Sequence, residues 1–101
     1  MAKRFFEWDP RKSESNKRKH GIDFDIAKRV FRDPLKIRDI EGDEHGEIRW
    51  RTVGEIGGTL YVVSHTVREE EDKEEGEIEF VRIISARRAT PRESRRYRET
   101  P

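Results

Sequence analysis

No cysteine occurs among the 101 residues, which excludes a disulfide framework and any thiolate chemistry. Glutamine is also missing while Lys, Arg and Glu dominate, a composition that leans towards heat adaptation. No apolar run approaches the roughly 18 residues that span a bilayer, and the first residues lack the charged-then-apolar pattern of a signal peptide. A soluble, cytoplasmic protein without membrane contact is therefore expected. Nowhere do His and carboxylate residues gather at metal-ligand spacing, so the sequence disfavours hydrolysis by a metal-bound water. No cofactor is expected.

What is present is charge. Only 31% of the residues are hydrophobic and 45% are charged, a balance that by itself suggests disorder. The apolar residues are concentrated in periodic segments, however, and the length suits one domain over residues 1–101 with one modest core. The net charge of +1 conceals a segregation. Residues 1–38 carry 12 basic and 6 acidic side chains, residues 39–77 carry 4 and 13, and residues 78–101 carry 7 and 3. Two basic ends bracket an acidic middle, so a basic face is compatible with a near-neutral total.

Arg4 to Trp8 reads as a short aromatic strand. Asp9-Pro10 then starts a helix, Asp as cap and Pro at the first helical position, which runs to about His20 and stops at Gly21. Its last turn, Lys17 to His20, sets cations at the negative end of the helix dipole, which accounts structurally for those basic residues. Asp23 caps a second helix whose apolar face is Phe24, Ala27, Val30 and Phe31, and Asp33-Pro34 ends it. Strands are expected at Leu35–Ile40, Ile48–Val53 and Thr59–Val67, with a polar turn at 41–46 and a Gly57-Gly58 hairpin turn. Arg68 to Glu77 is almost wholly charged and reads as an extended, solvent-exposed hairpin loop.

The last fifth of the chain has the densest β-branched run, Phe80 to Ile84, which reads as a central buried strand. It leads through Ser85-Ala86-Arg87-Arg88-Ala89 into a helix from Thr90 to Arg98. Thr90, Pro91 and Glu93 give that helix a capping box. A buried strand that delivers arginines to the surface fixes guanidinium groups where an anion can meet them, although charge runs are more often plain solvent faces. The expected order is β-α-α-β-β-β-β-α, an α+β layout with helices gathered on one face of a mainly antiparallel sheet.

The chain resembles the BrnT toxins of type II toxin–antitoxin modules over nearly its full length. The resemblance rests on Phe6-Glu7-Trp8-Asp9-Pro10, Asn16 with Lys19-His20-Gly21 and Phe24, Val30-Phe31 with Asp33-Pro34, and Glu47 and Arg49 ahead of Gly54. It continues through Val62-Val63 with His65-Thr66, then Arg82 to Arg87 with Ala89-Thr90, Glu93 and Tyr97. It implies a RelE-like fold: a small antiparallel sheet, two N-terminal helices on one face and a C-terminal helix. It also implies metal-independent cleavage of an RNA substrate and neutralisation by a BrnA-type antitoxin with a ribbon-helix-helix part. Operator DNA would be reached only through that complex. The long acidic stretch 68–77 departs from the family, where the turn is tighter.

Cleaving RNA without metal needs a base for the 2′-hydroxyl, cations for the phosphorane and an acid for the leaving oxygen. The available bases are His20, His65, Glu93 and Lys19, and the fixed cations are Arg49, Arg51, Arg82, Arg87 and Arg88. Arg49, Arg82 and Arg87 are the expected phosphate clamp, with His65 the first choice of base and His20 the second. Arg82 could equally be a buried structural arginine, His65 a half-buried strand histidine, and Glu93 is already engaged by the capping box. Lys19, Arg51, Arg88 and Tyr97 are expected to bind RNA, Tyr97 as an acid or a stacking group. A small basic module that binds RNA or protein without cleaving it is the alternative.

Overall fold

A computed structural model describes residues 3–100. Strand β1 (Lys3–Glu7) leads into helix α1 (Pro10–His20) and then α2 (Phe24–Ala27), which tightens into a 3-10 turn at Lys28–Arg32. Strands β2 (Ile37–Glu44), β3 (Glu47–Ile56), β4 (Thr59–Asp72) and β5 (Gly76–Arg88) follow, and α3 (Pro91–Glu99) closes the chain. The five strands form one sheet in the order β1-β5-β4-β3-β2. Pairing is antiparallel except between β1 and β5, which run parallel, so the sheet is mixed but mainly antiparallel, as expected. The α+β class stands.

Local chemistry sets the helix ends as expected. The Asp9 carboxylate accepts from the Arg11 amide, and Gly21 takes the left-handed cap with φ 76°. Thr90 and Glu93 form the reciprocal capping box of α3.

Alternation along the strands sorts the side chains onto two faces. Val63, Val81, Ile83 and Ala86 point to one of them and pack with Ile22, Phe24, Ala27, Val30 and Phe31 from the helices. We call this the closed face. Val53, Leu60 and Val62 point the other way and pack with Tyr97 of α3. The helices are thus not gathered on one face: α3 covers one end of the second, otherwise open, face.

Two polar side chains tie these layers. Asn16 on α1 gives its amide N–H to the carbonyl of Ala86 at 2.8 Å and accepts from the Ala86 amide at 3.1 Å. Strand β1 stops at Glu7, opposite Arg82, so the side chain replaces the missing strand along the β5 edge. The Asp33 carboxylate accepts from the backbone amides of Leu35 and Glu55 and from the Tyr97 hydroxyl at 2.6 Å. Burial alone would raise its pKa; those three hydrogen bonds outweigh it and hold the carboxyl below its usual range.

Residues 68–77 are an exposed hairpin as expected, but its arms are paired strands and not loop. The ladder continues to Asp72↔Gly76, pairing Glu69 with Glu79 and Glu71 with Glu77. Charge does not forbid a strand whose side chains all reach solvent. The turn is closed by Asp72, which accepts from the amides of Glu74 and Glu75, while Lys3–Glu75 and Arg4–Glu79 offset some repulsion. Similarly, β2 runs on through the expected turn to Glu44, with a bulge at Glu41 between Ile40 and Gly42.

Two outcomes follow from this packing. A Cβ on buried Gly54 would lie 2.8 Å from both Cγ1 and the carbonyl oxygen of Val30, and a backbone neighbour cannot yield easily. Gly54→Ala should therefore lose about 1–3 kcal/mol in denaturant titration. The second concerns His65, which is fully buried and held down to a pKa of about 4 by desolvation. A group neutral when folded but protonated when unfolded stabilises fully above its unfolded pKa, and that contribution disappears as pH falls from 6.5 towards about 4. Unfolding free energy should drop by about 2 kcal/mol from pH 7 to pH 5, and His65→Leu should flatten this slope.

Candidate functional site

Cross-strand register builds the open face in rows. Thr66 pairs with Arg82, and Arg49 sits beside Thr66, one step beyond the Trp50↔His65 pair. The next row joins Ser85, Ser64, Arg51 and Asp39, and the next joins Arg87, Val62, Val53 and Ile37. Neighbouring strands lie about 4.8 Å apart, so Arg49, Arg51, Arg82 and Arg87 project from one surface within a few strand widths of each other. Strands hold these guanidinium groups more firmly than loops would.

The cations differ in what holds them. Arg87 makes a two-pronged pair with Glu93, 2.7 Å and 3.0 Å, and Arg51 stands 3.9 Å from the same carboxylate. The Arg87 guanidinium, with help from the Thr90 amide, pulls the Glu93 carboxyl down to about 2. Glu93 is therefore ionised at any working pH and a weak base. Arg49 lies 3.3 Å from Glu44 on the exposed β2 end. Among the described residues Arg82 makes no ion pair and is exposed, so it is not a buried structural arginine.

A cleft of about 510 Å³ separates the β2–β3 surface from the start of α3, lined by Asp39, Arg51, Arg92, Glu93 and Arg96. Arg96 forks onto Asp39 at its rim. A second hollow of about 280 Å³ is lined by Glu44, His45, Glu47, Arg49 and Thr66. His45 sits at the tip of the β2–β3 turn with φ 55°, followed by Gly46 at φ 80°. Both central residues of this tight turn are left-handed, a conformation that suits Gly and is uncommon for other residues, with Asn, Asp and His the most frequent among them. Nothing in the local sequence beyond the turn composition singled out His45, because its partners Arg49 and Thr66 are brought to it by pairing.

Several expected site residues lie elsewhere. His65 points to the closed face with no exposed surface and shares a 2.7 Å hydrogen bond with Thr52. Its Nδ1 faces the Thr66 carbonyl, which can only accept, so Nδ1 carries the proton and the Thr52 hydroxyl donates to Nε2. A ring so enclosed meets no substrate hydroxyl. Lys19 and His20 are exposed at the end of α1, which packs on the closed side. Arg88 alternates to the same side as Tyr61, away from Arg87. Tyr97 is buried and donates to Asp33, which pushes its phenol up to about 12 and leaves it a poor acid. The structure therefore brings together Arg49, Arg51, Arg82, Arg87 and Glu93, and leaves out His65, His20, Lys19, Arg88 and Tyr97. Among the described residues, no group of three or more His, Asp or Glu side chains is placed to hold a metal ion, and no helix is long and apolar enough to cross a membrane.

No curated protein matches the sequence. A family model described as "Ribonuclease toxin, BrnT, of type II toxin-antitoxin system" matches residues 8–93, a span that takes in α1, α2, strands β2 to β5, Asn16 and the Arg87–Glu93 pair. A match over so much of the chain means that this protein belongs to the BrnT family of type II toxin–antitoxin ribonuclease toxins.

Proposed function

We propose that the chain is a metal-independent endoribonuclease of RelE-like type that cleaves messenger RNA in the cytoplasm and is silenced by a BrnA-type antitoxin. The observation that carries this reading is the open sheet face, where Arg49, Arg82 and Arg87 project together and Arg82 makes no ion pair among the described residues. The scissile phosphate is held between Arg82 and Arg49, across Thr66. As the 2′-oxygen attacks, charge builds on the phosphorane oxygens, and fixed guanidinium groups stabilise it more than they stabilise the substrate. Arg51 and Arg87 meet the neighbouring phosphate.

His45 shares a hollow with Arg49, Glu44 and Glu47 and takes the role of base: it removes the 2′-hydroxyl proton. As the bond from phosphorus to the 5′-oxygen breaks, that oxygen takes a proton from solvent. Glu93 acts as a positioning residue, since its pKa of about 2 suits it to aiming Arg87 and not to accepting a proton. The antitoxin, through a segment of acidic or hydrogen-bonding character, covers the same arginines, and its ribbon-helix-helix part brings the complex to operator DNA. The rival reading, a binding module without cleavage, draws on the occupation of Arg87 by Glu93.

Antitoxin-free protein should cut single-stranded RNA with chelator present and leave a 2′,3′-cyclic phosphate. His45→Ala should lower the single-turnover rate at least about tenfold, while His65→Leu should keep its rate per folded molecule. Binding without any product would favour the rival reading, and activity lost in chelator but restored by Mg²⁺ would refute metal independence.

A further inference from the structure

Phe5 and Phe80 occupy the row beyond Arg82 on the same open face. They are register partners on β1 and β5, and their rings stack with centroids 5.8 Å apart and planes 24° apart. From β4, the Arg68 guanidinium lies over the Phe80 ring, 4.6 Å from its centroid. Glu70 at 3.1 Å and Glu7 at 3.7 Å hold it there. Three flat groups on three adjacent strands thus stack as one ledge, with Phe80 between Arg68 and the more exposed Phe5.

The core does not account for this ledge. Phe6, the next residue along β1, faces the closed side and packs on Phe31 with ring centroids 5.2 Å apart. Phe5 faces away from that core and keeps 48% of its surface exposed. A large ring left in solvent beside an array of arginines has the two features that single-stranded nucleic-acid binding uses, a stacking surface and a backbone cation.

We infer that Phe5, Phe80 and Arg68 form a nucleobase-stacking subsite for single-stranded RNA, next to the phosphate held by Arg82. The inference rests on the reading that the open face binds RNA, and it deepens that reading by assigning the base beside the cleaved bond. Phe80 and Arg82 are two residues apart on β5, about 6.7 Å along the strand, so a base on the ledge belongs to a nucleotide adjoining that phosphate. Beyond the ledge on the same face, the β4–β5 arm carries Glu70 and Asp72, which repel phosphate. The RNA backbone therefore turns towards Arg82 and leaves only a base on the rings. Stacking accepts any base, so the subsite adds affinity and register without sequence choice.

The test uses the full chain and an uncleavable 2′-O-methyl RNA decamer, with each position made abasic in turn. One abasic position should weaken wild-type binding about tenfold. Phe5→Leu, which keeps the apolar bulk without a π face, should bind the intact decamer about tenfold more weakly and ignore that abasic position. Phe5→Trp should retain affinity and lose indole fluorescence on binding, which separates a missing π face from misfolding. Arg82→Ala should weaken every oligonucleotide alike. If Phe5→Leu binds like the wild type, or no abasic position matters, the subsite is overturned while the RNA-binding face stands. If that variant instead releases a copurified antitoxin and binds RNA normally, the ledge is a protein contact and the inference is overturned. If the wild type fails to bind the decamer, both the face and the subsite fall.

Discussion

A β-strand sends alternate side chains to opposite faces, and this chain has helix enough to cover only one of them. Nearly every other feature follows from that shortage. The closed face takes Val63, Val81, Ile83 and Ala86 together with a histidine that has no exposed surface. The open face receives whatever falls at the other positions, and in this sequence those positions hold Arg49, Arg51, Arg82 and Arg87. Helix α3 shields the end where Val53, Leu60 and Val62 would otherwise be bare, and its first turn brings Glu93 against Arg87.

Polar side chains make the arrangement rigid where the apolar core is thin. Asn16 stands in for a strand at the β5 edge, and Asp33 gathers two backbone amides and one phenol that link β3 and α3 to the end of the helical segment. Asn16 satisfies buried backbone groups that no strand reaches, so its loss would leave a donor and acceptors unpaired. The cores on the two faces are small, and these ties hold the open-face arginines at fixed spacing.

The local layer was legible in the sequence because its signals are short-range. The caps at Asp9, Asp23 and Thr90, the Gly21 stop and the capping box of Glu93 all appear where residue chemistry places them. What failed was long-range. The acidic run 68–77 reads as loop because charge opposes burial, yet a strand facing water on both sides needs no burial, only a partner. The parallel pairing of β1 with β5 and the placement of α3 on the second face have no local signature. The site shows the same division. Alternation along β3, β4 and β5 separated Arg49 and Arg51 from Trp50, and Val62 from Val63. It could not say which face the helices would close, so the exposed face could not be chosen. His65 looked like a base because histidine in a strand is ambiguous until its face is known. His45 lay hidden in a turn, since its neighbours Arg49 and Thr66 reach it only through the β2–β3–β4 register.

The central claim is that the open face, not the basic helices of the closed side, meets RNA. Single-turnover cleavage of one RNA by Arg82→Glu and Lys19→Glu, each checked for wild-type melting, tests it most directly, because the two changes alter charge equally on opposite sides. The account predicts that Arg82→Glu loses at least two orders of magnitude in rate, combining a lost transition-state donor with a repelled phosphate, while Lys19→Glu stays within a few-fold of wild type. Loss of activity in Lys19→Glu with Arg82→Glu unimpaired would contradict it and move the site to the helical side.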